Sequence, residues 1–440
     1  MKYKEKTECR VCGSKDLKTI LDLNDQPLAN SYHDGSTELD QYPLKLNLCK
    51  KCYHSQLSVV VDPDEMFKHY LYVSGTTETL RTYFQHFYSD IVLPRLNGAN
   101  SGNVLDIACN DGSQLEVFKG KGGWNTYGID PAENLYERSS EKGFTKIVCD
   151  YFNEDSASKL GTKMDVIIAQ NVFAHTDDIH SFLQACKSIS HNNTKIFIQT
   201  SQANMFANSE FDTIYHEHLS FFCANSMNVC AQLNDMSLED VVKTDIHGTS
   251  YVFVLSPKKG VIYEKAEAFL REEEQEGKTS EEFYHSFARK SKQIVYKLEE
   301  AIDEYREAGY GIVGYGAAAK AMTLLNFGKI DLDFIIDDNP LKQGLLTPGM
   351  NIPIHPIDFL TPRPQSKKTN IKHLPNRPLV FIPLAWNFYD EIKGKTMKVR
   401  GRSPDVYIRY FPDLIKQEIR GIMGGKEVGL GTNLVFKVIE

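Results

Sequence analysis

Between residues 103 and 200, short apolar runs alternate with stretches whose apolar positions recur every three or four residues. NVLDIA, NTYGID, KIVCD, DVIIAQN and KIFIQT read as strands buried on both faces, and CNDGSQLEVF and PAENLYERSSEKG as helices between them. Strand alternating with helix predicts an α/β fold with a parallel sheet covered by helices, whose ligand crevice opens at the carboxyl ends of the strands. Upstream, Leu80, Phe84, Phe87 and Ile91 fall at helical spacing until Asn97-Gly98 ends the pattern, and the hydroxyl-rich YLYVSGTT before them reads as a loop whose Thr76 or Thr77 can cap that helix.

The pattern restarts after YVFVLS. Residues 261–308 are charged and helical, YGIVGYGAAAKAMTLLNF reads as strand, glycine turn and helix, and LDFIIDDN as the next strand. A second α/β unit of Rossmann-like type is expected. Residues 1–66, by contrast, are short of core and rich in turn formers such as LNDQPLANSYHDG. The expected boundaries are therefore 1–66, 67–256 and 257–440. The proline-rich, basic TPRPQSKKTNIKHLPNRP reads as an exposed loop, and the last 25 or so residues carry no functional signal.

A chain of 440 residues exceeds what one core usually serves. A net charge of −8 gives no electrostatic footprint for nucleic acid. No apolar run approaches the roughly 18 residues of a membrane span, and MKYKEKTECR lacks the apolar segment of a signal peptide. A cytoplasmic, monomeric protein with no membrane partner is expected. Four of the nine cysteines change the picture further: Cys9, Cys12, Cys49 and Cys52 form CxxC, a long spacer and CxxC. Two such knuckles complete an all-thiolate zinc site with no open position, hence a structural one, against the alternative of a redox pair or disulfides. Metal binding then supplies folding free energy that the small N-terminal segment lacks.

Three acidic features fall at strand ends. Asp106 closes the first strand, and Asn110-Asp111-Gly112 makes the turn into a helix where a dinucleotide site would carry GxGxxG. Carboxylates there repel phosphate and suit a ligand that brings an ammonium or a ribose, as S-adenosylmethionine does. Asp130 ends the next strand, where it can accept from both ribose hydroxyls or cap the following helix. Asp150 in CDYF is placed to reach an adenine amino group. In the second unit, Gly314 and Gly316 with Ala317, Ala318 and Ala319 let a pyrophosphate approach backbone N–H groups, unless the small residues serve strand-helix packing alone. Lys320 and Lys342 add cations, Asp337 or Asp338 can take a ribose, and Trp386 either stacks on a base or fills core.

The tetrad Tyr215-His216-Glu217-His218, in TIYHEHLSFF, places four ionisable groups beside apolar residues, where they must be paired or used. Four-cysteine knuckles, a class I methyltransferase pattern with CNDG, and YHEHLSFF together resemble the sugar C-methyltransferases of deoxysugar biosynthesis, from about residue 9 to about 415. The resemblance implies methylation beside the ketone of a nucleotide-linked 4-ketosugar, with S-adenosylmethionine as donor. It makes His218 the base that removes the carbon-bound proton, Tyr215 a hydrogen-bond partner of enolate or substrate, and Glu217 a group that orients a ring or binds substrate. It also implies roles near the sugar for Tyr72, with Tyr70 as its rival, and for His175, and places Asn171 beside the cofactor. IHGTSYVF departs from the family's HGGS followed by arginine, since Thr249 and Tyr251-Val252 replace part of it. Two other classes use similar parts: an epimerase or isomerase enolising the ketosugar without methyl transfer, and a catalytically silent nucleotide-sugar binding protein.

Overall fold

The computed structural model describes residues 2–67, 75, 78–361, 377–401, 403–419, 421–423, 426–428 and 433–436. Tyr70, Tyr72, Thr76 and Thr77 lie outside them, as does most of the basic segment after Thr361. The chain packs as two units: residues 1–21, 45–204 and 216–284 form the first, and 22–44, 205–215 and 285–440 the second. This division cuts across the three consecutive segments expected from sequence, because residues 22–44 and 205–215 pack with the C-terminal half.

The knuckle segment contributes the strands β1 (Tyr42–Cys49), of which the part from Lys45 on belongs to the first unit, and β2 (Ser55–Leu57), antiparallel with Leu46 opposite Leu57. Helix α1 (Glu78–His86) buries Leu80, Tyr83 and Phe84 and continues as a π-helical turn over Phe87–Val92, so that Phe87 and Ile91 join the same core. The helical spacing expected there is realised in a wider form.

A seven-stranded sheet follows. Its members are β3 (Gly102–Ile107), β4 (Trp124–Asp130), β5 (Lys146–Cys149), β6 (Met164–Gln170), β7 (Ser190–Thr200), β9 (Ser237–Thr244) and β10 (Ser250–Ser256), while the two-residue β8 (Ser220–Phe221) belongs elsewhere. The order is β9-β10-β7-β6-β3-β4-β5. Strands β5, β4, β3, β6 and β7 are parallel, β10 runs against them, and β9 at the edge pairs antiparallel with β10 and so points with the other five. Ile167, Ile168, Ala169, Phe197 and Ile198 are fully buried, the composition of strands covered on both faces. Helix α2 (Ser113–Lys121) links β3 to β4, α3 (Glu133–Ser140) links β4 to β5, and α4 (Ile179–Ser188) links β6 to β7. Chain direction through the sheet reverses between β3 and β6, which is where a doubly wound sheet opens its crevice.

The second unit carries its own seven-stranded sheet. β11 (Gly311–Tyr315), β12 (Phe334–Ile336), β13 (Ile354–His355), β14 (Leu379–Pro383) and β15 (Val406–Arg409) are parallel in the order β13-β12-β11-β14-β15. The antiparallel β16 (Leu414–Glu418) and β17 (Asn433–Phe436) close the edge, so part of the functionally silent C-terminus is sheet. Helix α5 (Ala319–Gly328) follows β11 directly.

Candidate active site and metal centre

The metal centre forms from two knuckles of the same shape. The carbonyl of Cys9 accepts from the Gly13 amide and that of Cys49 from the Tyr53 amide, each at 2.9 Å. Positive φ at Gly13 (69°) and Tyr53 (56°) completes the two turns. They aim Cys9, Cys12, Cys49 and Cys52 inward with all four Sγ atoms within 4.8 Å of one another. The Cys9–Cys52 and Cys12–Cys49 Sγ separations are 3.6 and 3.5 Å. Tetrahedral zinc with Zn–S near 2.3 Å wants sulfur pairs roughly 3.8 Å apart, so the donor set fits that ion. The second knuckle is docked as well: Asn225 Nδ2 donates to the Cys52 carbonyl at 3.0 Å and the Tyr284 hydroxyl to that of Tyr53 at 3.2 Å.

At the carboxyl ends of β3, β4 and β6 lies a cavity of about 340 Å³, bordered by Asp106, Asn110, Asp130 and Asn171 among others. That is the lower end of the range for small-ligand sites. The turn after β3 is left-handed at Ala108 (φ 59°), Asn110 (53°) and Gly112 (77°). Gly112 is required twice, since a Cβ there would also stand 2.5 Å from Phe144 Cε2. Asp130 holds this turn: its carboxylate accepts from the Asn110 and Ala132 amides, both at 2.8 Å. Ala132 is the helix N-cap, so Asp130 braces the start of α3 from two residues away rather than capping it.

Charge in the cavity is unbalanced. Burial, and then Asp130 and Asp111, raise Asp106 well above the ordinary carboxylate range. Burial likewise raises Asp130, against the two amides that lower it. A ligand ammonium would relieve both. Among the described residues, Asn171, left-handed at φ 55° beyond β6, has a buried Oδ1 without a hydrogen-bond partner, and Gln114 has a buried Oε1 in the same condition. Both residues border the cavity, so donors from a ligand are wanted on its walls. The residues present fit S-adenosylmethionine.

Three expected cofactor residues, Asp111, Gly112 and Asp150, are not among those that border the cavity. The Asp150 carboxylate pairs with Lys159 Nζ at 2.8 Å, and its neighbours Tyr151 and Phe152 border the cavity in its place. Asp111 is also absent from the wall, and accepts from the Ser113 amide at 3.2 Å at the start of α2. Sequence reasoning missed Gln114, Gln170, Gln199 and Tyr83, which also border the cavity, with the Tyr83 hydroxyl donating to Gln199 Oε1 at 2.5 Å. The only local signal was their position at strand ends and on the apolar face of a helix. Gln202, just past β7, was missed too: neither its Nε2 nor its Oε1, both buried, has a hydrogen-bond partner among the described residues.

His175 borders the cavity from the turn after β6. Burial alone lowers its pKa to about 4, so the ring is neutral near pH 7. His218, buried like His216 and Glu217, presents its ring perpendicular to that of His175 with centroids 5.0 Å apart. Backbone bonds fix the pair, because the Leu219 amide donates to the Ala174 carbonyl at 2.8 Å and the Leu57 amide to the Leu219 carbonyl at 3.0 Å. The structure thus brings together His175 and His218. Tyr215 is half-buried and ends the segment 205–215 that packs with the second unit, whereas His216 begins the next segment of the first.

In the second unit, the glycine turn is filled by its own surroundings. A Cβ on Gly314 would stand 2.7 Å from Leu384 Cδ1, and one on Gly316 (φ 91°) 2.8 Å from Ala385 Cβ. The Gly316, Ala317 and Ala318 amides donate to Ile336 O, Asp337 Oδ2 and Gly316 O. Asp337 spends its other oxygen on the Asn339 amide at 2.7 Å. These contacts are those of strand-helix packing. Lys342 Nζ donates to the Ala317 carbonyl at 2.7 Å. Lys320 Nζ is buried without a hydrogen-bond partner among the described residues, 5.1 Å from the centre of the Trp386 ring, whose Nε1 donates to Asp212 Oδ2 at 2.8 Å. Trp386 is therefore tied to Asp212. Burial raises Asp212 to about 7, with Lys320 acting in the opposite sense.

Three family models match the chain in succession: "Putative zinc binding domain" over residues 9–67, "Methyltransferase domain" over 80–240 and "C-methyltransferase C-terminal domain" over 245–412. The C-methyltransferase NovU of Streptomyces niveus is 28% identical over 397 residues, which is 88% of this chain and 91% of NovU. A ubiquinone biosynthesis O-methyltransferase of Actinobacillus pleuropneumoniae is 27% identical over 119 residues, 25% of this chain and 50% of that protein. Among solved structures, the magnesium protoporphyrin IX methyltransferase of Synechocystis with bound SAM superimposes with a TM-score of 0.31 and 14% identity, covering 41% of this chain and 81% of that one. Among the described residues, no helix is long and apolar enough to cross a membrane.

Proposed function

We propose that this chain is a sugar C-methyltransferase working with S-adenosylmethionine, and that it methylates the carbon beside the 4-keto group, C3 or C5, of a nucleotide-linked sugar through an enolate. The observation that carries this reading is the His175–His218 pair, one ring of which borders the cavity while the other stands against it. A carbon acid next to a ketone is weak, so its proton must be taken by a base held close, and the oxygen must be steadied as charge builds. His218 is that base. His175, kept neutral by burial, stands beside it without adding positive charge. Tyr215 and Tyr72 are assigned to the substrate or enolate oxygen, and Glu217 to orienting a ring or holding the sugar.

S-adenosylmethionine supplies the electrophilic methyl group. Asp106 would hold its ammonium, Asp130 the ribose, and Asn110 and Asn171 its remaining polar edges, each of these residues bordering the cavity. The matched C-terminal domain, described as that of a C-methyltransferase, favours carbon over oxygen as acceptor. For the substrate's nucleotide we assign the second unit, with Lys320 and Lys342 as cations and Asp337 or Asp338 for the ribose. Gly314, Gly316, Ala317 and Asp337 then shape the turn rather than touch phosphate. The reading takes the enzyme as cytoplasmic and monomeric.

The test is mass spectrometry of a panel of nucleotide 4-ketosugars incubated with protein and S-adenosylmethionine. Gain of one methyl on carbon is expected. Epimerised or unchanged sugars across the panel, with cofactor binding intact, would overturn the reading.

A further inference from the structure

The first metal knuckle reaches the wall of the cavity through one side chain. Arg10 lies between the ligands Cys9 and Cys12, and its side chain is fully buried. Its Nε donates to Asp177 Oδ1 at 3.0 Å and its Nη1 to the Leu57 carbonyl at 3.0 Å. The carbonyl of the next residue, Val11, stands 3.0 Å from His180 Nε2. Asp177 borders the cavity two residues after His175, and Leu57 is the residue whose amide holds the Leu219 carbonyl beside His218.

We propose that Arg10 is a positioning residue for methyl transfer: through Asp177 it fixes the turn that carries His175, and through Leu57 the strand that follows His218. This rests on the proposed function for its catalytic meaning, but not for its structural content. A buried guanidinium persists only while paired, so its two bonds are strongly directed. Lys6 Nζ also pairs with Asp177 Oδ1, at 2.9 Å, but from a more exposed position. The backbone turn at Cys9–Gly13 sets where Arg10 starts, so an ordered knuckle and an ordered histidine pair are linked through one side chain. The second knuckle has Lys50 and Lys51 in the corresponding places, and Lys50 pairs with Glu281 rather than with the cavity wall.

The experiment uses the full zinc-loaded chain and two substitutions, Arg10→Met inside the knuckle and Asp177→Asn outside it. Zinc content, S-adenosylmethionine affinity by calorimetry, turnover, and amide hydrogen exchange without ligands are measured on each. Both variants should keep their zinc and bind cofactor within about 3-fold of wild type, while segment 172–180 exchanges about ten-fold faster or more. Turnover should fall roughly 10- to 100-fold, the scale of a small misplacement of reacting groups. The double variant should be no worse than the worse single one. Wild-type exchange in 172–180 for Asp177→Asn would overturn the proposal, as would losses of turnover that multiply in the double variant. If the chain methylates no ketosugar, the exchange result still decides whether Arg10 holds the turn, so the two failures are distinguishable.

Discussion

The amide of Leu219 donates to the carbonyl of Ala174 at 2.8 Å, so the residue after His218 is bonded to the residue before His175. Two histidines far apart in sequence are thereby kept in one arrangement by backbone, not by their own rings.

His218→Ala should lower turnover at least about 10²-fold while leaving S-adenosylmethionine binding intact, and Tyr215→Phe should cost less. Washout of the substrate's α-proton into deuterated water, with a cofactor analogue unable to donate methyl, should vanish in His218→Ala. Exchange at the wild-type rate would pass the base's role to His175 or His216.

Asp130→Ala should weaken S-adenosylmethionine binding by roughly 1 to 3 kcal/mol, the scale of a charge-assisted hydrogen bond. The loss has two sources in this structure, since the same carboxylate holds the Asn110 and Ala132 amides. Calorimetry of Asp130→Ala and Asp106→Asn separates them: an Asp106 effect alone would reduce Asp130 to a brace for the turn.

Much of this arrangement was readable from local pattern. The strand ends at Asp106, Asp130 and Asn171 and the paired CxxC motifs follow from periodicity and spacing, which neighbouring residues determine. What escaped depends on partners remote in the chain. Asp150 looked like an adenine ligand because nothing local announced Lys159 as its partner. Gly316 looked like a phosphate turn because Ala385, the residue that needs its missing Cβ, lies far along the sequence. His54 and Ser220, 166 residues apart, share a hydrogen bond that no window of sequence could suggest.

Cys49→Ser should lose the zinc together with solubility or thermal stability. Metal analysis checks it directly, and wild-type protein without zinc would contradict the assignment.

Stability should fall in mild acid. Burial lowers His54 to about 3 and His175 to about 4 from an ordinary 6.5, so the unfolded chain binds protons that the folded one refuses. Their neutral forms cost nothing above about pH 6.5, and the penalty grows as pH falls toward the folded values. Each contributes a slope of about 1.4 kcal/mol per pH unit over that window. Urea titrations of His54→Gln between pH 6 and 4.5, with zinc content followed in parallel, should show a shallower loss than wild type.

Lys320→Met should weaken binding of a nucleoside diphosphate or its sugar while cofactor affinity stays unchanged. Loss of cofactor affinity instead would mean that the ligands are assigned to the wrong units. The full wild-type chain should bind the diphosphate without its sugar.

Strand β2 has a practical consequence for anyone who would trim or transplant this enzyme. Ser55 and Gln56 pair with Phe221 and Ser220, and the buried ring of His54 lies against Phe222. A chain begun at residue 67 would therefore not be a smaller catalyst. It would present a raw sheet edge next to exposed aromatic rings, the combination that recruits other chains. Such a fragment is expected to precipitate from the expression host, and exchanging N-terminal modules between relatives would require the short segment after His218 to travel with them.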